Sequence, residues 1–456
     1  SWSKKQWRSP DYQTDSDYDL IVVGAGLSGL AAAQMFLRRN KGAGSVLILD
    51  NHDDFGGHAK RNEFKVDGKQ LIGYGGSQSI DSPSRYSVAS NQVLKEIGVI
   101  TDRFYNYFDQ DYFKKRNLNN GIYFNKDNYK TSSLQPDFSG FFYKKNHEDL
   151  KNIVSNYPIS EAAKISLMHL ILEEIPWNQE MSISHKMAYL RSISYSDYLR
   201  NNGRVHEEII RLLRDLPRGW WGVGYDALSA LEAYSNGMPG FRHAGLPEDS
   251  SGPVARDEPY IFHFPDGNAG VARAFVKELI PNAIRGDTME DLVKARVDYE
   301  ALDLASNTNR IRLESTVVDV RHSSKKQKVD VTYVFQGSVF RVRGRHVILA
   351  CYNRIIPHLC SEIPKEQKEA INQAVKVPLV YINVAIRNWR AFERLGYKGF
   401  RIPQPNLMHS LGMDFPVSMG GYEFTQNSDQ PTVLHGVHVP CEPDSGLSSR
   451  EQHVQG

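Results

Sequence analysis

Within the first fifty residues stand the apolar run Asp19-Leu20-Ile21-Val22-Val23, the hexapeptide Gly24-Ala25-Gly26-Leu27-Ser28-Gly29, a helically spaced Leu30–Arg39 and the apolar Ser45–Asp50. Strand, glycine turn, helix and strand in that order make one βαβ unit, which commits the chain to a parallel sheet and an α/β fold. The hexapeptide fits G-x-G-x-x-G. Gly24 permits the tight turn, Gly26 lets backbone approach a pyrophosphate, and Gly29 lets the helix pack on the sheet. Leu27 and Ser28 open a helix whose first N–H groups face the diphosphate charge. Asp50 ends the second strand 21 residues after Gly29, where a carboxylate can accept hydrogen bonds from ribose hydroxyls. The same carboxylate would repel a 2′-phosphate, which argues against NADP and leaves NAD and FAD. The competing reading of these glycines is a structural turn that binds nothing.

Beyond Asp50 the chain continues Asn51-His52-Asp53-Asp54-Phe55-Gly56-Gly57-His58-Ala59-Lys60-Arg61. A Gly-Gly pair six residues past the ribose carboxylate, followed by Lys60 and Arg61, can wrap a second face of a long diphosphate cofactor. Ordinary NAD folds have no use for such a loop. A second cluster, Gly75-Gly76-Ser77, can bring backbone close to a ribityl chain or a flavin ring, and a plain hairpin turn is equally open. Ser315–Val320 and Arg345–Ala350 fit the returning half of a flavin domain, with Val317 or Val318 beside the adenine and Ala350 at the final strand end. FAD is the expected cofactor.

The expected fold is an α/β FAD-binding Rossmann domain with an inserted, α-rich or mixed substrate (cap) domain. Residues 1–17 read as a tail, 18–90 and 265–355 as two parts of the FAD-binding domain, and 91–264 as the inserted cap. Residues 356–456 read as a second part of the substrate domain, cut short before the last FAD-binding segment. Ser160–Ile175 and Tyr195–Leu216 are expected helices. Arg310–Asp319, Val329–Phe335 and Ser338–Val342 are expected antiparallel strands, with Arg345–Ala350 a strand of the parallel type. The 49 aromatic residues, 11 % of the chain, suit a large core first and a lined pocket second.

Charge and cysteine content exclude several classes. Lys+Arg 55 against Asp+Glu 53 leaves a net +2, with no global basic field for nucleic acid or anionic membrane. The one basic run, Lys325-Lys326-Gln327-Lys328, reads as a solvated hairpin turn. Cys351, Cys360 and Cys441 form no C-x-x-C and cannot build a disulfide framework, so no metal site is expected. Leu20–Leu37 is long enough for a membrane span, but its three glycines argue against a continuous spanning helix. Gly75-Gly76-Ser77-Gln78-Ser79 misses the nucleophile elbow, and His206-Glu207-Glu208 lacks the second His of a zinc helix. Glu173-Glu174 and Glu207-Glu208 point about 100° apart on a helix and read as solvated.

The strings from Leu49 to Phe64, Gly222-Val223-Gly224-Tyr225-Asp226-Ala227, Pro259–Ala269, Val347–Asn353 and Val375–Tyr381 together make the chain resemble the bacterial spermidine dehydrogenase family. That family belongs among the glutathione-reductase-like flavin amine oxidases, and the similarity runs from about residue 18 to 456. The resemblance implies FAD and oxidation of an amine such as spermidine, and haem b enters through some relatives. It also implies periplasmic export behind a cleaved twin-arginine signal, which agrees with the missing initiator Met; a cytoplasmic location is the alternative. The expected partners are a small-molecule amine and an electron acceptor (a quinone, a cytochrome or dioxygen), and a homodimer is the one oligomer considered. No segment after Gly421 fits the Gly-Glu or Gly-Asp run that such enzymes place near the flavin pyrimidine, hence the expectation of a longer natural chain.

Amine oxidation needs a neutral nitrogen held beside the flavin. A free amine titrates near ~10, and an apolar aromatic pocket lowers that value by disfavouring the cation. The remaining ammonium groups of a polyamine need carboxylates or aromatic faces. Asp266, Tyr422 and Glu423 are the candidates, with Trp220, Trp221 and Tyr225 as aromatic faces. Each has a structural alternative: Asp266 can cap the helix near Ala269, and the tryptophans can pack the cap. Among the 15 histidines none is singled out as a haem ligand. A desaturase on lipid-like substrates, or a non-catalytic binding protein such as a prenyl-protein escort, would use the same fold.

Overall fold

The computed structural model describes residues 10–141, 147–172, 175, 177, 180–247, 258–324 and 327–455. Glu173-Glu174 and Lys325-Lys326 lie outside the described residues. The strands in chain order are β1 (Tyr12–Val23), β2 (Val46–Leu49), β3 (Arg61–Val66), β4 (Lys69–Tyr74), β5 (Asn119–Phe124), β6 (Ser133–Pro136) and β7 (Asn309–Arg312). They continue with β8 (Thr316–His322), β9 (Val329–Phe335), β10 (Ser338–Leu349), β11 (Val380–Ile386), β12 (Tyr397–Arg401), β13 (Ser410–Met413) and β14 (Thr432–His438).

The first sheet runs β7-β2-β1-β10-β9-β8, with β7, β2, β1 and β10 mutually parallel. Its apolar strands are buried on both faces, as parallel sheets require. Leu20, Val22, Val46 and Ile48 face the helices Leu27–Arg39 and Ala269–Leu279. Ile21, Val23, Leu47 and Leu49 face the opposite way, onto Val320, Val331, Tyr333 and Val342 of the antiparallel strands. The chain leaves β1 towards β2 on one side while β10 lies on the other. That reversal opens a crevice beyond the carboxyl ends of β1 and β10, where open α/β sheets bind ligands.

A second sheet, β11-β14-β13-β12-β5-β6, is antiparallel except for the β12–β5 pair. The small β3–β4 hairpin packs against β11 and β14 of this second sheet. A separate helical core, built on Leu167, Tyr195, Tyr198, Ile209 and Leu213, occupies residues 122–241.

Four expectations for local structure are corrected. Tyr12–Asp17, read as tail, extend β1 opposite Phe340–Arg343, and the Tyr12 ring stacks on Phe340 at 5.1 Å. The single helix expected over 195–216 is two, Tyr195–Asn201 and Glu207–Leu213, because the chain turns through Gly203 and a left-handed Arg204 (φ 47°). Arg310–Asp319 is likewise two strands of different sense. Glu314 N–H donates to the His52 carbonyl (2.8 Å) and Ser315 N–H to the Asp50 carbonyl (2.7 Å), drawing the chain across the end of β2. β7 therefore stays parallel beside β2, and only β8 turns antiparallel against β9. The expected strands at 338–342 and 345–350 are one strand, β10, whose first half pairs with β9 and whose length follows β1. Among the described residues no helix is long and apolar enough to cross a membrane.

Leu47, fully buried in the central β2, tests this packing. Leu47→Ala should cost about 2–5 kcal/mol, read as a lowered urea midpoint with an unchanged slope.

Candidate functional site

At the switch point the backbone of three loops meets. A Cβ on Gly29 would stand 1.9 Å from the Gly24 carbonyl oxygen, so only glycine lets the helix start this close to the turn. Gly56 N–H donates to the Ala25 carbonyl (2.8 Å), and Gly26 and Gly56 form a parallel bridge. A Cβ on Gly57 would lie 3.0 Å from the Gly26 Cα, and Gly57 has φ 61°. Gly75 N–H in turn donates to the Lys60 carbonyl (2.8 Å). Backbone contacts thus join the Gly24–Gly29 turn, Gly56-Gly57 and Gly75-Gly76 into one unbroken set of loops. Ala350 closes it from the far side, its N–H on the Val23 carbonyl at 2.9 Å.

The helix Leu27–Arg39 begins at Gly26 with no side-chain cap and no acidic residue in its first turn. Its opening N–H groups and dipole are therefore available to an anion. Ser28 is exposed there, and Leu27 is half-buried. Asp50 is buried, and its carboxylate already accepts from Ala25 N–H (Oδ2, 2.6 Å) and His52 N–H (Oδ1, 2.9 Å). It clamps the two glycine loops and keeps lone pairs over for a ligand hydroxyl. Asn51 and His58 are exposed at the rim, and Lys60 sits 3.9 Å from Asp54. Val317 and Val318 are buried at a β-bulge beside the Asp50 strand end; Val317 belongs to the core of the sheet.

Asp266 neither caps the helix at Ala269 nor faces open space. It is completely buried, and its Oδ2 accepts from Arg61 (2.8 Å). Asn268 occupies the cap position without a side-chain bond there, donating instead to the Ser77 hydroxyl and the Ser79 carbonyl, both at 2.9 Å. Tyr422 is half-buried, its hydroxyl 3.4 Å from the Ile72 carbonyl. Glu423 is exposed, its charge acting on Lys69. The structure therefore brings Asp266 and Tyr422 towards the β3–β4 hairpin, with Glu423 exposed near its Lys69 end. Trp220 is exposed, and Tyr225 is bonded to Asp444 (2.8 Å) in the helical core.

Next to Gly75, sequence reasoning missed a buried group altogether. The Tyr74 ring stacks on His435 (3.8 Å, 15°), with His263 at 5.9 Å and Tyr381 at 6.2 Å. His435 Nε2 lies 3.2 Å from Asp414 Oδ2, both side chains under a tenth exposed. Burial holds His263 down at about 4 against an ordinary 6.5, the Asp414 charge opposing the shift. Burial likewise pushes the Tyr74 and Tyr422 hydroxyls up. The available signal was a histidine inside the otherwise apolar, buried run Thr432-Val433-Leu434-His435-Gly436.

Residues 22–97 match the family model of the NAD(P)-binding Rossmann-like domain. No curated protein matches the chain. Among solved structures it is similar to a protein of Exiguobacterium sp. 255-15, provisionally assigned as a protoporphyrinogen oxidase. The two share 14 % identity at a TM-score of 0.55, over 97 % of this chain and 81 % of that one. It is also similar to wild-type putrescine oxidase bound to putrescine, with 16 % identity and a TM-score of 0.50 over 96 % and 79 % of the respective chains. At these identities the likeness establishes the fold: a Rossmann-like dinucleotide-binding unit within a mixed α/β chain.

The depressed His263 carries a pH consequence. Below 6.5 the unfolded chain takes up a proton that the folded site refuses down to about 4, so stability is full above that window and falls within it. His409, also held at about 4, adds a second such group. His263→Phe should reduce the acid slope of unfolding free energy by about one proton, measured by urea titration at stepped pH.

Proposed function

We propose that the chain is an FAD-dependent amine oxidoreductase acting on a polyamine such as spermidine. One observation carries this reading: the three glycine loops continue without a break from the nucleotide end at Asp50 to the buried Tyr74 group. A surface of that reach suits a long diphosphate cofactor whose reactive ring ends beside a pocket. Gly24–Gly29 and the helix start would hold the diphosphate, Asp50 the ribose, and Gly56-Gly57 a second face. Gly75, Gly76 and Ser77 would stand by the ring. Bound FAD supplies a hydride acceptor for the C–H next to nitrogen, and hydrolysis of the resulting imine gives an aldehyde and a shorter amine.

The chain's own work is to bind and orient the amine and to exclude water. Tyr74, Tyr381 and Phe415 supply apolar faces around the buried polar groups, which favours a neutral nitrogen. The likeness to putrescine oxidase supports an amine as substrate class. Arg61 already satisfies one oxygen of Asp266, so that carboxylate acts on substrate through its second oxygen or through Arg61. Haem b gains no support from the geometry and is not proposed. Export to the periplasm stays part of the proposal through the family resemblance alone.

The test is anaerobic mixing of FAD-loaded protein with spermidine, spermine and putrescine. Bleaching of the flavin band by at least one of them, with an aldehyde among the products, is expected; no bleaching by any would overturn the reading. Asp50→Ala should weaken FAD binding roughly tenfold or more, because charge-assisted hydrogen bonds of ~1.5–3 kcal/mol each are lost. Fluorescence titration measures this, and an unchanged Kd would remove Asp50 from the ribose.

A further inference from the structure

We propose that Asp414, His435, His263 and Asn383 form a receptor for a protonated amine, with His435 as the group that takes the ammonium proton. The inference rests on the amine-oxidation reading and names the residues that carry it out.

Buried polar side-chain atoms are almost always hydrogen-bonded. Around Gly73–Ser79, by contrast, seven such atoms from five residues have no hydrogen bond: both ring nitrogens of His263, both of His435, and one oxygen each of Asn383, Asp266 and Ser79. The His263 ring feels the backbone of Phe264 and Gln78, but neither contact has hydrogen-bond geometry. Asn383 and His435 are directly paired residues of β11 and β14, so their side chains share one face. That face meets the hairpin, where a Cβ on Gly73 would touch Asn383 Oδ1 at 3.2 Å. Gly73 lets the hairpin backbone approach this amide closely, and Asn383 Nδ2 donates to the neighbouring Tyr74 carbonyl at 3.0 Å.

The charges give the ligand its sign. Tyr74 comes from β4, Tyr260 and His263 from the segment before the 269–279 helix, Tyr381 from β11, His435 from β14, and Asp414 and Tyr422 from the loop between β13 and β14. The Asp414 carboxylate is the one anion that acts on Tyr74, His263 and Tyr422 alike. Among the described residues its only ion-pair partner is His435; Arg61, whose charge also reaches Tyr422, is held by Asp266 and Glu63. A buried carboxylate without a permanent counter-cation is costly. An ammonium, with three donors and no acceptor, supplies the missing charge and can donate to the one acceptor nitrogen of each imidazole and to the amide oxygen.

The same arrangement can move the proton. The Asp414 carboxylate stands 3.2 Å from the His435 Nε2 without hydrogen-bond geometry, near enough for its charge to favour the hydrogen on Nε2 and leave Nδ1 as the acceptor. In the transfer one ammonium N–H bond breaks and one Nδ1–H bond forms. The positive charge passes to an imidazolium facing Asp414, and the amine is left with its lone pair. Tyr74, stacked on the ring, fixes its orientation.

tert-Butylamine tests this site, because its carbon next to nitrogen bears no hydrogen and it cannot be oxidised. Its binding to the FAD-loaded chain is followed by calorimetry across pH 6–10, with tetramethylammonium as a cation lacking N–H. Wild type should bind tert-butylamine and not tetramethylammonium. Asp414→Asn should weaken binding roughly tenfold or more, and His435→Asn should move the rise of kcat with pH to more alkaline values, both at unchanged FAD content. Asn383→Ala, at a half-buried position, should weaken binding with little loss of folding and serves if Asp414→Asn does not fold. Wild-type affinity and pH profile in all three variants would overturn the proposal. Calorimetry needs no flavin signal, so failure to load FAD would refute the functional reading while amine binding still decides the receptor.

Discussion

The contact on which the rest depends is the one between the backbone of Gly26 and that of Gly56-Gly57, clamped by the Asp50 carboxylate. It requires two segments without side chains to meet, and it brings the end of β2 and the loop leading to β3 against the start of the first helix. The Ser315 and Glu314 N–H groups bond to carbonyls of the same loop, so the clamp also decides where β7 ends and β8 begins. One small polar junction thereby sets both the parallel sheet and the direction of its antiparallel extension.

The β3–β4 hairpin carries that junction outward. Lys60 receives the Gly75 N–H at its base, Arg61 reaches Asp266, and the Tyr74 carbonyl accepts from Asn383 of the second sheet (3.0 Å). Tyr74 lies where the hairpin meets the second sheet, with a polar, buried cluster around it. Such clusters are expensive in a folded chain, and unpaired ones point to function rather than to stability.

Much of the nucleotide end was legible because it is local. The order strand, glycine turn, helix, strand, and the position of Asp50, lie within thirty-odd consecutive residues, where spacing and chemistry are read together. The division of 310–319 was not legible, since it comes from hydrogen bonds to His52 and Asp50, some 260 residues earlier in the chain. The break at Gly203 could have been read from the Asn202-Gly203 pair, a turn signal inside an expected helix. His263, Asp414 and His435 share no spacing at all. Only sheet pairing and the hairpin bring them together, and the one local sign was a histidine in the buried part of a strand.

The central claim is that the glycine surface holds a flavin dinucleotide ending at Tyr74. Its most direct measurement is the identity of the cofactor that the purified natural protein carries, released by heat and determined by chromatography and mass spectrometry. The account predicts FAD in near one-to-one amount; NAD or NADP in its place, or no dinucleotide retained after reconstitution, would contradict it.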